Sequence, residues 1–420
     1  MIELADGPAS PVLEDLADSN FDPFALDDLL YGDMDDPYPT IHALREAGPV
    51  HPFPLRSRYM TEEDQATAGT PMISIYGYDT ITRALLNPEL FSNTAYEFTL
   101  GLSFGRTITL LDPPEHTRYR RIFQKAFLPN VVRSWSEHLV QPVVDGLIEK
   151  FADRGRADLI ADFTIHYPFQ IIYKQLKLPP EHEALFQKLA VTQTAYAVYP
   201  EKAVEAGQKL GVYFEQMVRG RRDNPGNDLP SLLATAEADG ERLPEWLLVS
   251  FLRQLVNAGG DTTYRGTGTL LLALLTHPEQ LEAVRRDRSL ILPAIEEAMR
   301  WDGPVSLIPR KIMYDTEFEG YPVKAGTLVD VATNSANRDP KHFPDPDRFD
   351  IFRKSKAKHI GFATGPHVCI GQHLARIEME RALTSLMDRF PKLRLDPDMP
   401  PPVNSGYMMR CPRELHVRFD

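Results

Sequence analysis

The sequence predicts a mainly α-helical protein with a smaller β-rich portion, an α+β class. Three observations predict it. Apolar residues keep a helical rhythm through residues 114–257, interrupted by turn signals at Asn224-Pro225-Gly226 and Asp239-Gly240. A second helical pattern runs through Leu374, Ala375, Met379, Ala382, Leu383 and Leu386. Beyond Thr316 the helical period fades into short strand candidates at 318–322 and 328–332, followed by a Pro-rich loop at 340–348.

Taken in order, the chain opens with an acidic leader. Residues 1–40 hold eleven acids and no Lys or Arg, so they supply −11 of the net charge of −13. Such a run reads as a solvated leader with some local docking, or else as a partner-binding tail. Two units follow from this: a leader at 1–36 and one domain at 37–420, since no repeat, linker or composition break divides the remainder. Asp36-Pro37-Tyr38-Pro39 opens a helix over 40–47, and strand-like stretches follow at 50–60 and 72–76. Residues 93–110 are rich in Thr, Gly, Phe and Leu with weak periodicity, which predicts a long irregular loop of the kind that carries function. An apolar pattern at 244–275 predicts one helix, about 45 Å long, enough to cross a domain.

With 43% apolar and 25% charged residues, the 420-residue chain is long enough to bury a core. Its two cysteines, Cys369 and Cys411, exclude a disulfide framework and predict a reducing, cytoplasmic setting. No secretory leader pattern is present, and the longest apolar run, at 270–275, is far short of the roughly 18 residues of a membrane span. The near-neutral body lacks the basic footprint of nucleic-acid binding. The expectation is no membrane, no nucleic acid, and a monomer.

The most informative residue is Cys369, in Gly361-Phe-Ala-Thr-Gly-Pro-His-Val-Cys-Ile-Gly371. Gly365-Pro366 forces a turn, and Gly371 leaves the backbone free to pass close to something flat. The sulfur sits at the start of a helix, where the backbone field favours a thiolate. A thiolate beside a flat glycine-lined surface is what a haem iron needs as an axial ligand. Zinc is disfavoured, because no second cysteine or ligand-spaced His pair lies nearby.

The pattern Phe362-x-x-Gly365-x-His367-x-Cys369-x-Gly371 resembles the haem-binding signature of the cytochrome P-450 family, soluble bacterial type. Three further motifs agree in order, and the resemblance covers the chain from about Asp36 to Asp420. It implies the fold of that family, with haem b between a long central helix and the Cys-containing loop.

In the central helix, Ala258-Gly259-Gly260-Asp261-Thr262-Thr263 is poor helix sequence, each glycine costing about 1 kcal/mol against alanine. A packing kink is one reading. The other is a surface flattened to admit oxygen beside an acid–alcohol pair, and it resembles the family's oxygen-activation motif. That resemblance makes Asp261 and Thr262 the catalytic pair that handles protons, with Ala258 against the cofactor. The intact pair argues against a peroxide-driven or non-oxidative enzyme of the same fold, and against a haem-binding protein without turnover.

Glu297 and Arg300, spaced i, i+3, share a helix face. The resemblance completes them with Arg348 as a structural network behind the haem. It also implies that His116, Arg120, Arg310 and His367 face the haem carboxylates, with Phe362 and Gly371 beside the ring. Substrate contacts fall by the same resemblance to Tyr96, Phe98, Leu100, Gln254, Asn257, Val305, Leu307, Ile308, Tyr407 and Met408. Most are apolar and suit a hydrophobic small molecule. Asn257 either bonds backbone or water in a helix-rich core, or anchors a polar group of the substrate.

The run Arg353, Lys354, Lys356, Lys358, His359, together with Arg118, Arg121 and Lys125, reads either as a solvated charge run or as a docking face for an acidic electron donor. Of these, Lys354, Lys356, Lys358, Arg121 and Lys125 are the docking candidates. No reductase fits within this length. The resemblance therefore implies a separate ferredoxin, an NAD(P)H-dependent ferredoxin reductase, and O2 as co-substrate.

Overall fold

A computed structural model describes residues 11–59, 67, 69–238 and 240–420. The first ten residues of the leader, Asp239 of one predicted turn and the end of the 50–60 stretch lie outside the described residues. Helices dominate. The longest are Pro200–Asp223, Gln372–Arg389 and Asp261–Thr276. A small five-stranded sheet stands beside them, joining Val50–His51, Met72–Ile75, Leu328–Val331, Ile308–Ile312 and Phe91–Ser92 in that order. The Met72–Ile75 and Leu328–Val331 strands are parallel, while Ile308–Ile312 runs antiparallel to Leu328–Val331 with Arg310 opposite Val329. No helix among the described residues is long and apolar enough to cross a membrane.

The large core is helical. Phe123, Phe163, Phe169, Leu252, Leu272 and Leu386 all lie in one buried cluster. A smaller cluster packs the sheet around Ile75, Phe91, Val329 and Val331. Helical periodicity misses Ile308–Ile312, whose strand pattern is only five residues long.

Two local readings change. Residues 93–104 are not irregular: Asn93–Phe98 is a 3-10 helix and Leu100–Phe104 a short α-helix. Ser92 caps the first by accepting from the Thr94 amide. The single helix predicted at 244–275 is two, Glu245–Ala258 and Asp261–Thr276, broken at Gly259-Gly260. Neighbouring helix Tyr167–Gln175 explains the break. A Cβ on Gly259 would stand 2.6 Å from Ile172 Cγ1, and one on Gly260 2.4 Å from the Phe169 ring. Both glycines are therefore required by close helix packing, which accounts for the kink.

Residues 11–36 lie against the body rather than apart from it. Glu14, Asp15 and Asp18 pair with Lys209, Lys188 and Lys202.

Candidate functional site

The Gln372–Arg389 helix starts at Gly371, which holds the Cys369 loop at its N-terminus. Gly365 sits in the left-handed region, at φ +78°, and a Cβ there would come within 2.5 Å of the Leu85 carbonyl oxygen. Only glycine fits this turn. The Cys369 amide donates to Phe362 O at 2.9 Å, closing the loop. Gly371 has room for a side chain, its nearest neighbour being the Cys369 sulfur at 4.0 Å.

Cys369 is surrounded by protein atoms, yet its side chain is exposed to a slot of about 340 Å³. Phe362, His367, Cys369 and Gly371 line it from the loop, and Ala258, Gly259, Thr262 and Thr263 from the broken helix. Burial pushes the Cys369 thiol up, and the Gly371 amide, Arg120 and Arg376 only partly offset it. The helix start alone does not make a thiolate here; a cation facing the sulfur has to.

The edge of the slot is basic and orphaned. His116 and His367 lie ring against ring at 4.0 Å. Both His116 ring nitrogens and His367 Nε2 are buried without a hydrogen-bond partner. Burial, with Arg120 nearby, pushes His116 down to about 4. Burial, with His116 and two arginines nearby, pushes His367 down to about 2. Arg310 is buried and faces Tyr96, and Arg120 reaches Val368 O at 2.5 Å. Two arginines, with two histidines whose ring nitrogens are unmet, form a seat for an anion. A flat dianionic group with a metal at its centre fits this donor set: sulfur at the face, cations at the edge.

On the opposite wall the Thr262 hydroxyl donates to Ala258 O at 3.0 Å. Asp261 is paired with the buried Arg265 at 3.2 Å, and Arg265 Nη1 also reaches the Cys411 sulfur at 3.3 Å. Arg265 escaped the sequence reading, although an Asp–Arg pair at i, i+4 is a readable signal.

Behind the slot, Glu297 receives Arg300 at 2.7 and 2.8 Å. The third member is Arg353, not Arg348: Arg353 Nε meets Glu297 at 3.0 and 3.3 Å. Asp345, at φ +47°, turns the loop so that the Arg348 side chain is two-thirds exposed. Arg348 instead offers its carbonyl oxygen to Arg300 and Arg353. Arg353 and His359 thus leave the basic run, His359 pairing with Glu296 at 2.9 Å. Lys354, Lys356, Lys358, Arg121 and Lys125 remain exposed.

A second cavity, about 810 Å³, meets the slot at Ala258 and Thr262. Tyr96, Leu100, Gln254, Asn257, Val305, Leu307, Ile308, Tyr407 and Met408 line it. Phe98 does not: it is 41% exposed, under Lys311, because the 3-10 turn points it outward. Asn257 Nδ2 donates to Ala190 O at 3.1 Å, the backbone-bonding role, and the Gln254 amide pairs with the Thr109 hydroxyl. Leu30 and Tyr31 of the leader also line this cavity, and no sequence signal indicated them.

The model of the cytochrome P450 family matches residues 201–417. The chain is 34% identical to the cytochrome P450 monooxygenase PikC of Streptomyces venezuelae, over 86% of this chain and 85% of that one. It is 32% identical to the putative cytochrome P450 YjiB of Bacillus subtilis, over 85% and 88%. The fold is similar to that of the myxobacterial cytochrome P450 CYP267B1, solved in complex with myristic acid. There the TM-score is 0.82 at 32% identity, covering 94% of this chain and 99% of that one. CYP109E1 of Bacillus megaterium, solved with testosterone, gives a TM-score of 0.79 at 26% identity, over 92% and 99%.

Proposed function

The chain belongs to the cytochrome P450 family of haem b monooxygenases, and on that premise we propose that it inserts one oxygen atom of O2 into a large, hydrophobic organic molecule. Electrons come one at a time from a ferredoxin that an NAD(P)H-dependent reductase recharges. The observation that carries this reading is the slot itself: one cysteine sulfur on one wall, the Thr262 hydroxyl on the other with Asp261 next to it on the adjoining cavity, and arginines with unmet histidine nitrogens at its edge.

Cys369 would hold the haem iron, while Arg120, Arg310, His116 and His367 would hold its carboxylates. When bound, the haem supplies the redox chemistry that splits O2, one atom leaving as water. The chain's own residues do the rest. Thr262 presents its hydroxyl at the junction of slot and cavity. Asp261, close beside it in sequence, is a proton carrier that must swing from Arg265 to pass protons inward. The cavity's apolar lining, Leu100, Val305, Leu307 and Ile308 among it, desolvates and orients the substrate. An intact acid–alcohol pair disfavours a peroxide-driven reaction on the same fold.

The sulfur assignment is tested by spectroscopy. In the reduced, carbon-monoxide-bound protein the Soret band should stand at the long wavelength characteristic of thiolate ligation, and Cys369→His should lose it. A variant that retained that band would remove Cys369 as ligand.

The donor face is tested separately. Lys356→Glu/Lys358→Glu should raise the Michaelis constant for the ferredoxin at low salt, about tenfold, and the gap should close as salt screens it. An unchanged constant at low ionic strength sinks this surface as the docking site.

A further inference from the structure

We propose that the acidic segment 11–36 forms a wall of the substrate cavity, with Tyr31 a specificity-determining residue and ion pairs to the body helices holding that wall in place. This rests on reading the larger cavity as the substrate site.

The segment is bound at both ends. At its start, Leu13 and Leu16 are buried in the main core. Around them Asp15 meets Lys188 at 2.9 Å, Asp18 meets Lys202 at 2.8 Å and Glu14 meets Lys209 at 3.3 Å. These lysines stand on the helices Glu183–Thr192 and Pro200–Asp223. Lys188 also donates to Ser19 O at 2.6 Å, and Phe21 packs edge-on to Tyr199 at 5.5 Å. At its end, Arg410 donates to Met34 O at 3.0 Å and Asp35 O at 2.8 Å. The Gly406 amide reaches Met34 O at 3.0 Å, and the Tyr407 amide reaches Tyr31 O at 2.8 Å.

Between these anchors Leu30 and Tyr31 are buried against Ala195, Val198, Met408 and Met409. Both line the cavity whose inner end is Ala258, Asp261 and Thr262. Tyr31 does more than fill space. The Arg265 guanidinium stands 4.9 Å from its ring centre, and the same guanidinium holds Asp261. The segment thereby touches both the substrate volume and the residue that restrains the acid.

The two anchors differ in kind. Arg410 is buried and bonded to fixed carbonyls, whereas the lysine pairs are partly solvated. Pairs of the second kind are individually weak and screened by salt. The cavity wall is thus fixed by Arg410 at one end and held at the other by the buried Leu13 and Leu16 together with salt-sensitive lysine pairs. It selects for ligands large enough to reach Tyr31.

Azole titration of the haem-loaded protein tests this without knowing the substrate. Imidazole is small enough to report on the iron alone; econazole also fills the cavity. Tyr31→Ala should raise the Kd of econazole about tenfold and leave that of imidazole unchanged. Tyr31→Phe should keep the wild-type ratio of the two constants. Asp15→Lys/Asp18→Lys should raise the ratio several-fold at low salt and less at high salt. Adding Lys188→Asp/Lys202→Asp should restore it. A wild-type ratio in both Tyr31→Ala and the charge-reversed protein overturns the wall. A charge-swapped protein that stays like the reversed one overturns its electrostatic anchoring. No spectral shift with imidazole in the wild type would instead count against the haem site itself.

Discussion

Glu297→Ala should destabilise the folded protein by about 3–5 kcal/mol, the largest stability loss expected from any single exchange described above. Among the described residues Glu297 is the acid that Arg300 and Arg353 share, and both guanidiniums are largely buried. Removing it strands two cations in the interior. The protein should then accumulate poorly and unfold at lower denaturant in an equilibrium urea titration. Arg353→Ala should fall part of the way, and Arg348→Ala should stay within about 0.5 kcal/mol of wild type, as an exposed side chain does. Equal losses for Arg348→Ala and Arg353→Ala would overturn the assignment of Arg353 as third member.

Asp261→Asn should cut the rate of product formation about 100-fold or more, with the substrate's Michaelis constant little changed. The amide keeps the carboxylate's shape and can still accept from Arg265, but it cannot carry a proton. Arg265 would be left as a buried cation without its counter-charge, so stability falls as well. The double variant Asp261→Asn/Arg265→Gln separates the two effects. It should recover stability and remain slow. Recovery of turnover in the double variant would show that Asp261 acts only as the partner of Arg265.

How much of this was legible depended on whether a property was local. The Cys369 loop was readable because its determinants lie within ten residues: a turn that only Gly365 can make, and a helix beginning at Gly371. The break at Gly259-Gly260 was readable as a defect in a helix. Its cause was not, since Phe169 and Ile172 lie far back in the sequence, on another helix. Arg348 and Arg353 are both basic and close in sequence, and only the path of the loop through Asp345 decides which one turns inward. Phe98 failed for a related reason. A 3-10 turn rotates side chains differently from an irregular loop, and nothing in the composition of residues 93–104 gives its phase. The leader's charge was plain, but the lysines it meets are scattered over two helices, so its docking could not be read from a charge count.

Ile308 and Arg310 are two positions apart on one strand and therefore share a face. The first borders the substrate cavity and the second the anion seat. An engineer who enlarges the cavity by trimming Ile308 is also editing the floor on which Arg310 stands. Variants selected for bulkier substrates at that position should be screened for cofactor retention from the outset, because reach and grip are written on the same short piece of backbone.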